Sequence, residues 1–190
     1  MTEIVLSLKK QIDSLTEKRE NVVVAIEGRS CAGKSTLSEK LQEIYDCNIF
    51  HMDDFFLRPE QRTAERYAEP GGNIDYERFK EEILQPLKNR DNIILRKFSC
   101  SDMKLCSPEY ITKSDITVIE GVYSMHPFFG EYYDFSVFFD ISDELQQKRI
   151  LNRNTPEKAH RYFNEWIPLE DDYFFTAKIR NRCKMIINAT

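Results

Sequence analysis

The sequence lacks any apolar run near the ~20 residues needed to cross a bilayer, so no membrane partner is expected. It lacks a CxxC pair, and its five cysteines, Cys31, Cys47, Cys100, Cys106 and Cys183, are odd in number. A disulfide framework is therefore not expected; reduced thiols in a cytoplasmic protein are. Histidine is scarce, with only His51, His126 and His160, far apart, so the composition offers no zinc site. Positive charge is not in excess: the formal net charge is −5, which argues against a general nucleic-acid binder. An anionic ligand must then be met by local lysines and arginines. No repeat, low-complexity linker or break in composition divides the 190 residues, so one domain over 1–190 is expected. The opening residues lack a positive segment leading into an apolar one, so no secretory signal is expected. Ile4, Leu8, Ile12 and Leu15 are instead spaced for one face of a helix.

What is present reads as a globular chain, 41% hydrophobic, in which strand-like and helix-like segments alternate. That alternation predicts an α/β fold, a parallel sheet covered by helices. Strands are expected at 21–27, 47–51, 92–98, 116–120 and 135–140, with CKMIIN near the end as a last core strand. Helices are expected after Gly33, over 75–84 with an interruption or restart at Pro86, and over 142–152 with Ser142 as N-cap. The polar stretch 55–72, with Pro59, Pro70 and Gly71-Gly72, reads as a long functional loop.

The strongest motif is Gly28-Arg29-Ser30-Cys31-Ala32-Gly33-Lys34-Ser35, which fits G-x-x-x-x-G-K-[ST] at every fixed position. A strand precedes it and a helix follows, the setting in which backbone amides cradle phosphates. This predicts a P-loop NTPase fold, three-layer α/β/α with a central parallel sheet. ATP is expected along residues 28–36, with Lys34 on the β- and γ-phosphates, Ser35 on Mg²⁺ and Thr36 at the α-phosphate. Cys31 is read as a small spacer.

Three acids follow from position. Glu120, at the end of an apolar strand and before Gly121, is placed to hold Mg²⁺ or its waters. Asp53 and Asp54 follow the second strand and precede Phe55-Phe56. Side chains of successive extended residues diverge, so only one, Asp53, is read as the base for an attacking hydroxyl, and Asp54 as structural. The expected metal set is Ser35, Asp53 and Glu120, with Mg²⁺ as cofactor. Arg149 and Arg153 lie four apart on one helix face. They are read with Lys34 and Asp53 as catalytic, in a helical lid over about 146–167 that closes on phosphates and excludes water. Thr112-Lys-Ser-Asp115 is read as a turn before a strand rather than a guanine signal, and Trp166 as packing.

Taken together, GRSCAGKST, HMDDFF, GGNIDYERF and VIEGVYS, with RILNR, resemble the uridine kinase branch of P-loop kinases, with its nicotinamide riboside, pantothenate and phosphoribulokinase relatives. The resemblance spans about residues 22–155 and implies an ATP-dependent phosphotransferase acting on an alcohol group, first of all a uridine or cytidine 5′-hydroxyl. It implies Asp53 as base, Glu120 at Mg²⁺ and Asp75 on ribose hydroxyls. Phe55 and Phe98 complete an acceptor set within about 53–110, Phe98 as a stacking face for a base. The sequence departs from the uridine kinases at Arg96–Asp102, which has no histidine. Nicotinamide riboside, pantothenate or a sugar phosphate remain as acceptors, and a regulatory nucleotide-binding protein as another class. Arg58, Arg62 and Arg66, four apart, are read as a solvated helix face or as cations for a sugar phosphate. A homo-oligomer is left open.

Overall fold

The computed structural model describes residues 2–189. Its strands are β1 (Val22–Gly28), β2 (Asn48–His51), β3 (Ile93–Leu95), β4 (Phe98–Ser99), β5 (Lys104–Leu105), β6 (Glu109–Ile111), β7 (Ile116–Glu120), β8 (Phe135–Asp140) and β9 (Met185–Asn188). Five of them form one all-parallel sheet in the order β2–β7–β1–β8–β9. A parallel sheet is stable only when both faces are covered, and β1 meets that condition: every one of its residues is buried. Val22, Val24 and Ile26 face one hydrophobic cluster; Val23 and Ala25 face the other.

The helices are α1 (Thr2–Thr16), α2 (Lys34–Gln42), α3 (Ala64–Tyr67), α4 (Tyr76–Phe79), α5 (Gln85–Asn89), α6 (Asp143–Arg153), α7 (Pro156–Arg161), α8 (Ile167–Thr176) and α9 (Ile179–Arg182). On the first face α1 seats Val5, Leu8 and Ile12, and α2 seats Leu37 and Leu41. The other face carries Phe55, Phe79, Phe129 and Tyr173, an aromatic layer under α4 and α8. The result is a three-layer α/β/α sandwich, as the alternation predicts.

Departures from the sequence reading have local causes. The expected strand over 92–98 is not part of the sheet. Ile93 and Leu95 face inward while Ile94 is exposed, so the segment suits a half-covered pair, and β3 pairs antiparallel with β6. Beyond it β4 pairs with β5. Pro86 interrupts its helix, as expected, without ending it, and lies in the first turn of α5. Helix α4 runs through a π-helical stretch, Lys80–Leu84, straight into α5, because proline has no N–H for the regular ladder and a wider turn absorbs the loss. Arg58, Arg62 and Arg66 share no helix: Pro59 opens a 3-10 turn, and Thr63 starts α3 by accepting the Arg66 N–H at 3.2 Å. Ser142 caps α6, accepting the Leu145 N–H at 3.3 Å. No helix of the described residues is long and apolar enough to cross a membrane.

Candidate active site

The site lies along the carboxyl ends of β1, β2 and β7, where an open parallel sheet leaves its crevice. Gly28 ends β1 at φ 135°, and a Cβ there would lie 2.2 Å from the Phe139 carbonyl oxygen, so only glycine lets β8 approach. The chain then turns through Cys31, at φ 61°, and Gly33, at φ 117°, into the N-terminus of α2. Lys34 stretches back across this loop and donates from Nζ to the carbonyls of Gly28 (2.7 Å) and Arg29 (2.9 Å). Its ammonium is thus held at the centre of the cradle by the loop itself.

Three side chains converge beside the cradle. Ser35 Oγ donates to Glu120 Oε1 at 3.0 Å, and His51 Nδ1 meets the same oxygen at 2.5 Å. Parallel pairing of β2 with β7 sets His51 opposite Glu120, so this contact is built into the register. Burial pushes the Glu120 carboxyl up, but the His51 hydrogen bond and the Lys34 charge outweigh it and hold it below the usual carboxylate range. The same hydrogen bond raises the His51 imidazole. Asp53 sits one turn on, in a 3-10 segment (Met52–Phe55). Its side chain opens to solvent at the mouth of the cleft, yet protein surrounds it on most sides. That crowding raises its pKa; Lys34 opposes the rise and Glu120 adds to it. Ser35, Asp53 and Glu120 offer hard oxygen donors beside a phosphate cradle. Mg²⁺ takes one or two carboxylates and completes its shell with phosphates and water, so this set fits it.

Several expected site residues take other positions. The Arg29 guanidinium turns away from the cradle to the Ile141 carbonyl (2.8 Å), Gln146 Oε1 (2.8 Å) and Asp143 (2.7 Å), so only its backbone faces the loop. Phe55, expected at the acceptor, has no exposed surface: it packs edge-on against Phe79 with the Arg78 guanidinium over its ring. Asp75 is also buried. It caps α4 by accepting the Arg78 N–H at 3.2 Å and pairs with Arg58 and Arg78. Phe98 is 5% exposed and has Arg62 over its face at 5.7 Å, so that face is covered rather than open to a base. Arg66 is no solvated residue; it forks onto Glu77 at 2.7 Å and donates to the carbonyls of Gly72 and Ile74.

Helix α6, where the lid was expected to begin, rests on the loop. Gln146 Nε2 donates to the Ser30 carbonyl at 2.9 Å, and Arg149 donates to the carbonyls of Cys31 (3.1 Å) and Ala32 (3.0 Å). Arg149 thus grips the side of the loop that carries carbonyls rather than amides. Arg153, one turn along α6, is exposed, and its charge reaches Cys31 and Tyr162. Trp166 packs edge-on against Tyr162, as expected. The residues 112–115 form a loop leading into β7.

Sequence reasoning missed three residues here. His51 was visible only as the residue two before Asp53. Gln146 carried no signal, being one of two adjacent glutamines on a helix. Lys158, on α7, lies near enough that its charge lowers the Asp53 pKa, a proximity created by the turn between α6 and α7.

The model of the phosphoribulokinase/uridine kinase family matches residues 23–164. Among similar curated proteins, the phosphoribulokinase of Synechocystis sp. is 27% identical over 159 residues, 74% of this chain and 44% of that protein. The uridine-cytidine kinase C of Dictyostelium discoideum is 25% identical over 120 residues, 62% of this chain and 27% of that protein. The chain therefore spans less than half the length of these relatives. The solved structure of a possible uridine kinase from Bacillus stearothermophilus superposes with a TM-score of 0.68 at 22% identity, over 95% of this chain and 99% of that one. It shares the fold.

Proposed function

The chain belongs to the phosphoribulokinase/uridine kinase family, whose members are kinases acting on alcohol groups, and from that premise we propose that it transfers the γ-phosphate of ATP to a small-molecule hydroxyl. The first acceptor is a pyrimidine nucleoside, taken at its 5′-hydroxyl, in the cytoplasm where ATP is supplied. The observation that carries this reading is the convergence of Ser35, Glu120 and His51 beside Lys34, with Asp53 at the mouth of the same cleft.

The residues divide the work as follows. The amides of 28–36 and the α2 N-terminus bind the phosphates. Lys34 leaves its two loop carbonyls for the β- and γ-oxygens. Ser35 and Glu120 would hold Mg²⁺, with Asp53 beside them, and the ion would neutralise phosphate charge. Asp53 accepts the proton of the acceptor hydroxyl; that oxygen bonds to the γ-phosphorus as the bond to the bridging β,γ-oxygen breaks and ADP leaves. Its raised pKa makes it a better base than an ordinary aspartate. His51 keeps Glu120 ionised and oriented. Arg153 and Lys158 are the cations free to close over the phosphates.

A second reading has an observation of its own. Arg62 covers Phe98 and Arg58 pairs with Asp75, so guanidinium groups stand where a base and ribose hydroxyls were expected. That favours an acceptor carrying an anionic group, such as a sugar phosphate, and the phosphoribulokinase similarity agrees with it.

The test is ADP release from ATP·Mg²⁺ over a panel of uridine, cytidine, nicotinamide riboside, pantothenate and ribulose 5-phosphate. Turnover on a pyrimidine nucleoside supports the first reading. Turnover on the sugar phosphate alone replaces it with the second. Nucleotide binding without any turnover would move the protein to a regulatory class.

A further inference from the structure

Residues 27–30 are the end of β1 and the start of the phosphate loop, and α8 holds them from outside at two points one turn apart. Tyr173 Oη donates to Glu27 Oε2 at 2.9 Å. Three residues earlier Glu170 receives both donors of Ser30: the backbone N–H at 3.0 Å and the hydroxyl in a shorter contact. Glu170 is 5% exposed, and no lysine or arginine is within salt-bridge reach of it among the described residues. A carboxylate buried without a direct ion pair is costly, and here two hydrogen bonds to one loop residue offset part of that cost. It also lies within electrostatic reach of Lys34 and Asp53.

Glu170 stands on α8, which continues without a break from α7 through a π-helical stretch (Tyr162–Trp166). That helix also carries Lys158. The body that bears a lid cation is therefore bonded to the third residue of the phosphate loop.

We infer that Glu170 is a positioning residue for the nucleotide phosphates: it fixes the Ser30 backbone and so presets the loop for the triphosphate. Neither the sequence motif nor the family resemblance marks this residue. The inference rests on the proposed nucleotide site but not on any particular acceptor.

The experiment uses the full chain and titrates ADP and ATP·Mg²⁺ by calorimetry without an acceptor, alongside melting temperatures. Glu170→Ala removes both contacts and should weaken nucleotide binding about 10-fold, the scale of one or two hydrogen bonds to a charged group. Glu170→Gln keeps the shape, accepting the amide through Oε1 and donating to the hydroxyl through Nε2, and should stay within about 3-fold of the parent. Ser30→Ala loses the hydroxyl contact alone and should fall between them, and adding it to Glu170→Ala should cost nothing more. If Glu170→Ala proves too unstable to assay, Glu170→Asp still decides, because it keeps the charge but draws the carboxyl back from the Ser30 N–H: an affinity equal to the parent overturns the inference. So does a lowered melting temperature with unchanged affinity in Glu170→Ala, which is what a purely structural role gives. Equal losses in Glu170→Gln and Glu170→Ala would assign the effect to charge and reject positioning. A parent protein that binds no nucleotide would reject the proposed site itself, an outcome separate from these.

Discussion

At the scale of single residues, the acids of the cleft sit in different electrostatic surroundings because their neighbours differ. Glu120 is held ionised by His51, Lys34 and Ser35 despite its burial, whereas the protein crowded around Asp53 raises its pKa against the opposing charge of Lys34. Asp53→Asn should therefore lower turnover by about 10²- to 10⁴-fold, the usual contribution of a general base, while ATP affinity measured by calorimetry changes less than about 3-fold. A residue outside the cleft contributes to the loss of stability in acid. His126 lies between Tyr76 and Tyr173, stacked on Tyr76 at 4.6 Å. Its Nδ1 accepts the Phe128 N–H at 3.2 Å, which requires a neutral ring, and burial pushes its pKa down from 6.5 to about 4. The folded pKa is the lower one, so the unfolded chain takes up the proton first as pH falls. The stability this group contributes is fully present above about pH 6.5 and is lost on the way to about pH 4. The loss should be on the order of 3 kcal/mol in denaturant titrations. His126→Asn, which keeps an acceptor near Nδ1, should be less stable at neutral pH but show a flatter dependence between those limits.

At the scale of elements, the site depends on how turns are locked. Gly121 follows Glu120 at φ 134°, and a Cβ there would lie 2.7 Å from Met52 Cβ, one residue before Asp53. Gly121→Ala should displace the 3-10 segment that carries Asp53. Steady-state kinetics should show a larger loss in kcat than in KM for ATP, because the cradle on β1 is untouched. Arg78 joins three elements: it donates to the carbonyls of Arg96 (2.6 Å) and Asp54 (3.0 Å) and pairs with Glu82. Lysine cannot reproduce that fork. Arg78→Lys should cost about 2–4 kcal/mol of stability and raise acceptor KM, with nucleotide affinity unchanged. The Ser142 cap and strands β7 and β8 were legible because they depend on neighbours in sequence. The split of 92–98 into β3 and β4 was not, because pairing with β5 and β6 decided it.

At the scale of the whole molecule, two hydrophobic clusters sandwich the sheet, and they separate stability from chemistry. The cluster under α1 contains no proposed catalytic side chain. Leu8→Ala or Ile12→Ala, both with no exposed surface, should cost about 2–4 kcal/mol in chemical denaturation while leaving the proposed kinase turnover of the folded protein near that of the parent. The aromatic cluster on the opposite face underlies Asp53 and the acceptor region, so substitutions there should change stability and activity together.

By itself the sequence determined the sheet's central strands and the phosphate loop, and it singled out Lys34, Ser35, Asp53 and Glu120, which the fold brings to one cleft. Each of these rests on short-range pattern: β-branched runs, glycines at a set spacing, an acid at a strand end. Only the tertiary structure decided which side chains face the cleft. Phe55 and Asp75 turn inward because Phe79, Arg78 and Arg58 hold them from distant positions. Arg29 turns away because the start of α6 offers it Asp143 and Gln146. His51 meets Glu120, and Glu170 meets Ser30, across separations of 69 and 140 residues. Side-chain direction at such sites is set by packing and by the nearest available hydrogen-bond partner, and neither exists until the chain has folded.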